Sequence, residues 1–226
     1  MRPLAIDLFC GLGGWTEGLI DAGYDVIGFD LERHEYGEHR YPATLVIQDV
    51  TTLHGSQFRT AALIVASPPC QGYSYRAMPW SRARALPPPD NTLFEACFRI
   101  QREACEAAGR HIPLIVENVR GAQRWVGRAR WNYGSFYLWG DVPALMPFAH
   151  KAVKAPGMDW NDRTRRGQWF GGNAIKSGGD WFAIKDRKRD PMAAASGGKR
   201  KAAAAMTAKI PPALSRYIAA TFKPGA

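Results

Sequence analysis

Leu4-Ala5-Ile6-Asp7-Leu8-Phe9-Cys10-Gly11-Leu12-Gly13-Gly14 is the stretch that decides the fold of this chain. An apolar run carrying one carboxylate meets glycines at 11, 13 and 14, and Trp15-Thr16-Glu17-Gly18-Leu19-Ile20-Asp21 then continues as a helix. Glycine permits a tight turn and lets a ligand approach the main chain closely. A strand, a glycine turn and a helix open a βαβ unit. The turn alone leaves three readings open: an ordinary loop, a dinucleotide site or another adenosine site.

The chain on either side repeats the pattern. Asp25-Val26-Ile27-Gly28-Phe29-Asp30 reads as a second strand ending in a carboxylate, the usual partner of ribose hydroxyls in nucleotide-binding βαβ units. Thr44 to Asp49 is a third strand ending in an acid. Ala62-Leu63-Ile64-Val65-Ala66 is a buried strand that runs into Ser67-Pro68-Pro69-Cys70-Gln71-Gly72-Tyr73-Ser74. Cys70 is therefore held at a strand's C-terminal end, where an open α/β sheet builds its ligand crevice. Ile112 to Val116 leads into Glu117-Asn118-Val119, and a further strand is expected over Ser135 to Trp139.

The clearest helix spans Asn91 to Gly109, with an apolar stripe at Leu93, Phe94, Cys97, Phe98, Ile100, Gln101 and Ala104. A last helix is expected from about Pro212. Strands alternating with helical or loop segments over residues 1–120 predict a mostly parallel α/β sheet.

At 226 residues and 46% hydrophobic, the chain can bury one sizeable core. No apolar run approaches the roughly 20 residues of a membrane span, and the N-terminus lacks the pattern of a signal peptide. Four cysteines, at 10, 70, 97 and 105, show neither metal-ligand nor disulfide spacing, so a reducing compartment and no metal are expected. A net charge of +10 points to a polyanionic partner. Much of that charge falls in residues 151–206, a Gly-, Lys-, Arg- and Trp-rich stretch containing Arg163, Arg165 and Arg166.

In this chain order, Asp7 to Gly14, Asp30, Asp49, Pro69-Cys70-Gln71 and Glu117-Asn118-Val119 resemble the cytosine-C5 DNA methyltransferase family, as a compact, phage- or prophage-type member. The resemblance covers about the first two thirds of the chain. It implies a class I S-adenosylmethionine-dependent methyltransferase fold, Rossmann-like and mostly parallel, with a small basic recognition region. Residues 1–148 would form the catalytic and cofactor-binding domain and 149–206 the recognition region. Residues 207–226 would supply a helix packing back on the catalytic domain.

The resemblance assigns S-adenosylmethionine to Phe9, Gly11, Leu12, Gly14, Asp30, Asp49 and Val50, with Pro69 and Leu93 completing the pocket. It makes Cys70 the nucleophile that adds to C6 of the target cytosine, Glu117 the group holding N3, and Asn118 the residue positioning their loop. Double-stranded DNA would be the substrate, with its target base flipped out of the stack. Gln71, Ser74, Arg76, Arg128, Arg130, Arg163, Arg165 and Arg166 would contact it. A monomer in the cytoplasm of a bacterial cell or phage-infected host is expected.

Two departures stand out. The family's Gln-x-Arg-x-Arg strand aligns its arginines with Tyr133 and Ser135, leaving Arg128 or Arg130 as substitutes. Its C-terminal Gly-Asn-x-Val element aligns with Thr207-Ala208-Lys209-Ile210. An RNA cytosine methyltransferase and a catalytically silent nucleic-acid-binding protein of the same fold remain alternatives.

Overall fold

The structure is a computed structural model and describes residues 2–74, 85, 87–146, 205, 206 and 208–225. Its strands are β1 (Leu4–Leu8), β2 (Asp25–Asp30), β3 (Thr44–Ile47), β4 (Leu63–Ala66), β5 (Leu114–Asn118), β6 (Trp131–Tyr133) and β7 (Phe136–Gly140). Its helices are α1 (Gly14–Asp21), α2 (Thr92–Ala108), α3 (Gln123–Val126) and α4 (Pro212–Thr221).

The strands form one sheet in the order β3-β2-β1-β4-β5-β7-β6, parallel from β3 through β5, with β7 and β6 joined as an antiparallel hairpin. The expected mostly parallel α/β sheet is thus borne out. Every residue of β4 and β5 is buried, as their unbroken apolar runs require of central parallel strands. β1 pairs with β2 on one side and β4 on the other, so strand order reverses there and leaves a crevice at the C-terminal strand ends.

Side chains alternate between two cores. Ile6, Leu8, Ile64, Ala66, Leu114 and Val116 face Phe94, Cys97, Ile100 and Ala104 of α2. Ala5, Val26, Leu63, Val65 and Ile115 face the opposite side, against Trp15 and Leu19 of α1 and Leu214, Ile218 and Ala219 of α4. Helix α4 lies directly on α1. A Cβ on Gly14 would overlap the Ile210 main chain, and one on Gly18 would overlap Ser215 and the Arg216 nitrogen. Arg216 Nε donates to Asp21 Oδ2 at 2.7 Å and Lys209 Nζ to Glu17 Oε1, so charge fixes the same pairing at both ends.

Several expected boundaries shift. β5 runs on to Asn118, placing Glu117 and Asn118 within the strand. β3 stops at Ile47, because Asp49 instead caps a short 3₁₀ turn over Val50–Thr52. The predicted strand over 135–139 is observed as Phe136–Gly140, paired with a three-residue strand too short to show a period in sequence. The β2–β3 and β3–β4 connections contain no α-helix.

Candidate active site

Three segments meet at the C-terminal edge of the sheet. The first is the turn after β1. Gly11 and Gly13 take φ of 50° and 76°, which glycine adopts freely, while Phe9 takes φ of 58°, a strained conformation for a residue with a Cβ. Such strain clusters at functional sites. Among the described residues, a Cβ on Gly11 would meet nothing within 4 Å, so the main chain there is open to a ligand. Gly13 is closed off by Tyr41 and Pro42, and Gly14 faces Ile210.

Asp30 ends the neighbouring strand and turns its carboxylate back to this turn. Oδ2 accepts from Gly11 N at 2.9 Å and Oδ1 from Leu31 N at 2.8 Å. An open glycine main chain beside a fixed carboxylate suits the ribose end of an adenosine cofactor. Asp49 uses Oδ1 to accept from Thr51 N and Thr51 Oγ1, both at 2.8 Å, which shapes the turn beyond β3. Val50 is fully buried in the core, Leu12 is buried, and Leu93 is half-buried on the first turn of α2.

Beneath the glycine turn lies a buried polar group. Thr16 Oγ1 donates to Asp7 Oδ2 at 2.6 Å and lies 2.7 Å from the Tyr41 hydroxyl. Asp7 Oδ1 is buried with no hydrogen-bond partner among the described residues. Burial pushes the Asp7 carboxyl up to about 8, with the Thr16 hydrogen bond opposing and Asp30 adding to the shift. Desolvation, then the Asp7 and Asp30 charges, push the Cys10 thiol far up as well. Cys10 is therefore a neutral packing residue rather than a nucleophile.

The second segment follows β4. Ser67 N donates to Leu8 O, and Trp15 Nε1 donates to Ser67 Oγ at 3.0 Å, binding this loop to the glycine turn and to α1. Pro68 is buried, Pro69 exposed and Cys70 half-buried. Cys70 precedes a 3₁₀ turn over Gln71–Tyr73, on which Gln71 is exposed, and Ser74 beyond it is half-buried. Tyr73 anchors that turn. Its hydroxyl donates to Asn91 Oδ1 at 2.9 Å at the start of α2. Its carbonyl oxygen lies so close to Gly121 that a Cβ there would overlap it.

The third segment is the end of β5. Asn118 Nδ2 donates to Pro68 O at 3.0 Å, and Asn118 Oδ1 accepts from Val119 N at 2.8 Å. This buried amide ties the Cys70 loop to the strand that carries Glu117, itself 7% exposed. Parallel pairing of Ala66 with Val116 sets Ser67 level with Glu117, three residues before Cys70.

Other expected residues stay apart. Arg128 and Arg130 are exposed on the stretch before β6, and Arg130 N donates to Leu138 O. Register aligns Glu117, Leu138 and Trp131 across three strands, so alternation puts Arg130 on the opposite face. Tyr133 and Ser135, at the aligned arginine positions, sit at the tight β6–β7 connection. Arg76, Arg163, Arg165 and Arg166 lie outside the described residues, as does most of 149–206. Among the described residues, no three His, Cys, Asp or Glu side chains are grouped to hold a metal ion.

Sequence reasoning missed two supports. Tyr73 stands three residues after Cys70, and its place in that motif was the only signal. The Trp15–Ser67 hydrogen bond spans 52 residues and left none.

A family model for C-5 cytosine-specific DNA methylases matches residues 4–124, more than half of the chain. Type II methyltransferase M.XorII of Xanthomonas oryzae pv. oryzae is 27% identical over 53% of this chain and 29% of its own length. Type II methyltransferase M.DdeI of Desulfomicrobium norvegicum is 32% identical over 39% of this chain and 22% of its own. The chain thus spans less than a third of either relative. A crystal structure of a prophage-encoded E. coli protein, described as a DNA modification methyltransferase, aligns with 26% identity and a TM-score of 0.39. It covers 55% of this chain and 34% of the other.

Proposed function

Because the chain belongs to the C-5 cytosine-specific DNA methylase family, we propose that it transfers a methyl group from S-adenosylmethionine to C5 of cytosine in double-stranded DNA through a covalent bond to Cys70. The observation that carries this reading is the Asn118–Pro68 hydrogen bond, which joins the Cys70 loop to the strand end bearing Glu117.

C5 of cytosine is a weak nucleophile. Addition of the Cys70 thiolate to C6 turns the ring into an enamine and makes C5 reactive, which is covalent catalysis. Glu117 holds N3 and stabilises the activated ring by supplying a proton there. Asn118 sets the height of the Cys70 loop over the base. Once C5 is methylated, loss of its proton and of the Cys70 sulfur restores the aromatic ring. Bound S-adenosylmethionine supplies an electrophilic sulfonium methyl. Phe9, Gly11, Leu12, Gly14 and Asp30 would hold it from the glycine turn, and Asp49, Val50, Pro69 and Leu93 from the other side.

The target base has to leave the duplex to reach Cys70. Gln71 and Ser74, on and just after the turn that follows Cys70, are the proposed contacts to the vacated stack, and Arg76, Arg128, Arg130, Arg163, Arg165 and Arg166 are the proposed DNA contacts. In this reading residues 1–148 are the catalytic domain, 149–206 the recognition region and 207–226 the closing helix. The Type II methyltransferases among its relatives support a role in a modification system, and the cytoplasm of a bacterial or phage-infected cell is the proposed location.

The β6–β7 hairpin favours one second reading. With Tyr133 and Ser135 where the family carries arginines, a silent DNA-binding member of the fold would keep the cofactor turn and lose turnover. Incubation with methyl-labelled cofactor and duplex DNA, RNA or neither separates the cases. Label on the C5 position of DNA cytosine supports the proposal, label on RNA redirects it, and cofactor binding without transfer supports the silent reading.

A further inference from the structure

Asp30 is not held by backbone alone. His34 Nε2 lies 3.4 Å from Asp30 Oδ1, and on its other side His34 Nδ1 lies 3.4 Å from the Tyr36 hydroxyl. The two rings pack with centroids 6.3 Å apart. Tyr36 is itself fixed by paired backbone hydrogen bonds with His39, which close a small turn at Gly37. Further along the same connection, Tyr41 and Pro42 pack against Gly13. Residues 31–43 are therefore anchored to the glycine turn at both ends, with His34 between them. The side chains of His34 and Asp30 are only 19% and 15% exposed.

An ionised carboxylate offers about four acceptor positions. Gly11 N takes one on Oδ2, while Leu31 N and His34 compete for Oδ1. A ribose diol needs two, so one hydroxyl finds Oδ2 and the second meets His34 at Oδ1.

We propose that His34 is a positioning residue for the cofactor. Its neutral imidazole stands 3.4 Å from Asp30 Oδ1 while accepting from Tyr36, and leaves the carboxylate aimed at the ribose. Its protonated form holds Asp30 against the ribose and lowers cofactor affinity. The titratable groups facing His34 are Asp30 from β2, Glu32 from the same connection, with Oε1 3.9 Å from Nδ1, and Tyr36 from the small turn. Protonation thus gives Nδ1 a carboxylate partner in Glu32. Imidazole is the side chain that changes charge between pH 5 and 8.

This inference rests on the cofactor reading of the glycine turn, and the test separates the two. Calorimetric titration with S-adenosylhomocysteine, which has no sulfonium charge, would be run from pH 6 to pH 8 on the full chain. Wild-type affinity is expected to fall roughly five- to tenfold toward pH 6, the scale of one ordinary net hydrogen bond. His34→Gln keeps an amide donor near Nε2 without the titration. It should bind within about twofold of wild type at pH 8 and show no pH step. His34→Ala should bind roughly fivefold more weakly at pH 8, also without the step. Thermal melts establish that both variants are folded.

A wild-type profile as flat as that of His34→Gln would overturn the proposal, as would a His34→Gln profile that keeps the wild-type step. Asp30→Ala should lose binding at every pH. Wild-type affinity in that variant would sink the cofactor reading itself, whereas lost binding there with an unaffected His34→Ala would refute only the role of His34.

Discussion

Asp7 makes the stability of this protein depend on pH in a direction opposite to that of most carboxylates. The group is completely buried, and desolvation raises it from 3.8 to about 8 in the folded chain. An unfolded chain exposes it and returns it to its ordinary value near 4. Below pH 4 the carboxyl is neutral in both states, and its full contribution to stability is present. As pH rises from 4 to 8 only the unfolded chain ionises, so folding loses about 1.4 kcal/mol per pH unit from this group. Above 8 both states are ionised and the loss stops. The difference of about four units sets a ceiling of roughly 5 to 6 kcal/mol, a large share of a domain's usual stability. Asp7→Asn imitates the neutral acid, keeps an oxygen for Thr16 Oγ1, and removes the titration. Urea unfolding of wild type and variant should give similar midpoints at pH 4.5 and a widening advantage for Asp7→Asn up to pH 8. A difference between the two proteins that stays constant across that range would refute the burial argument.

Glu117→Gln should lower turnover at saturating DNA and cofactor by about 10²–10⁴, the range for a positioned proton-transfer group, while rate constants equal to wild type would leave Glu117 a structural residue. Neutralising Arg163, Arg165 and Arg166 together should weaken DNA binding across sequences, each lost phosphate contact flattening the log–log salt slope by about 0.9. Equal slopes for mutant and wild type would make that run a solvated face. Gly18→Ala forces a methyl group into Ser215 and the Arg216 nitrogen, so chemical denaturation should show a loss of about 1–3 kcal/mol, and an unchanged midpoint would show that α4 does not depend on this close approach.

Most of the sheet was legible because the central strands are apolar runs ending in the candidate site residues. Asp25–Asp30 and the helix from Pro212 appear where the pattern puts them. The helix over Thr92–Ala108 matches its stripe, with Phe94, Cys97, Ile100 and Ala104 buried. Strand β6 was invisible because three residues with one exposed asparagine carry no period. Its pairing with β7 came from tertiary register, which local composition does not encode.

The chain order of the motifs identified the candidate residues but not what holds them. The Asn118–Pro68 and Tyr73–Asn91 contacts cross 50 and 18 residues. Gly14 shows the same limit. Its position in the glycine turn gave no sign that its missing side chain also makes room for Ile210. His34 lay in a connection with no repeating pattern, and only its nearness to Asp30 gives it meaning.

The central claim is a covalent bond between Cys70 and C6 of the target cytosine. A duplex carrying 5-fluorocytosine at methylated positions tests it directly, because fluorine at C5 cannot leave as the proton does. With S-adenosylmethionine present, the wild-type chain should form a denaturation-resistant protein–DNA adduct whose cross-linked peptide contains Cys70. Cys70→Ala should bind cofactor normally, form no adduct and transfer no methyl group. An active wild type that leaves the fluorinated duplex free, or a Cys70→Ala variant that still turns over, would contradict the account.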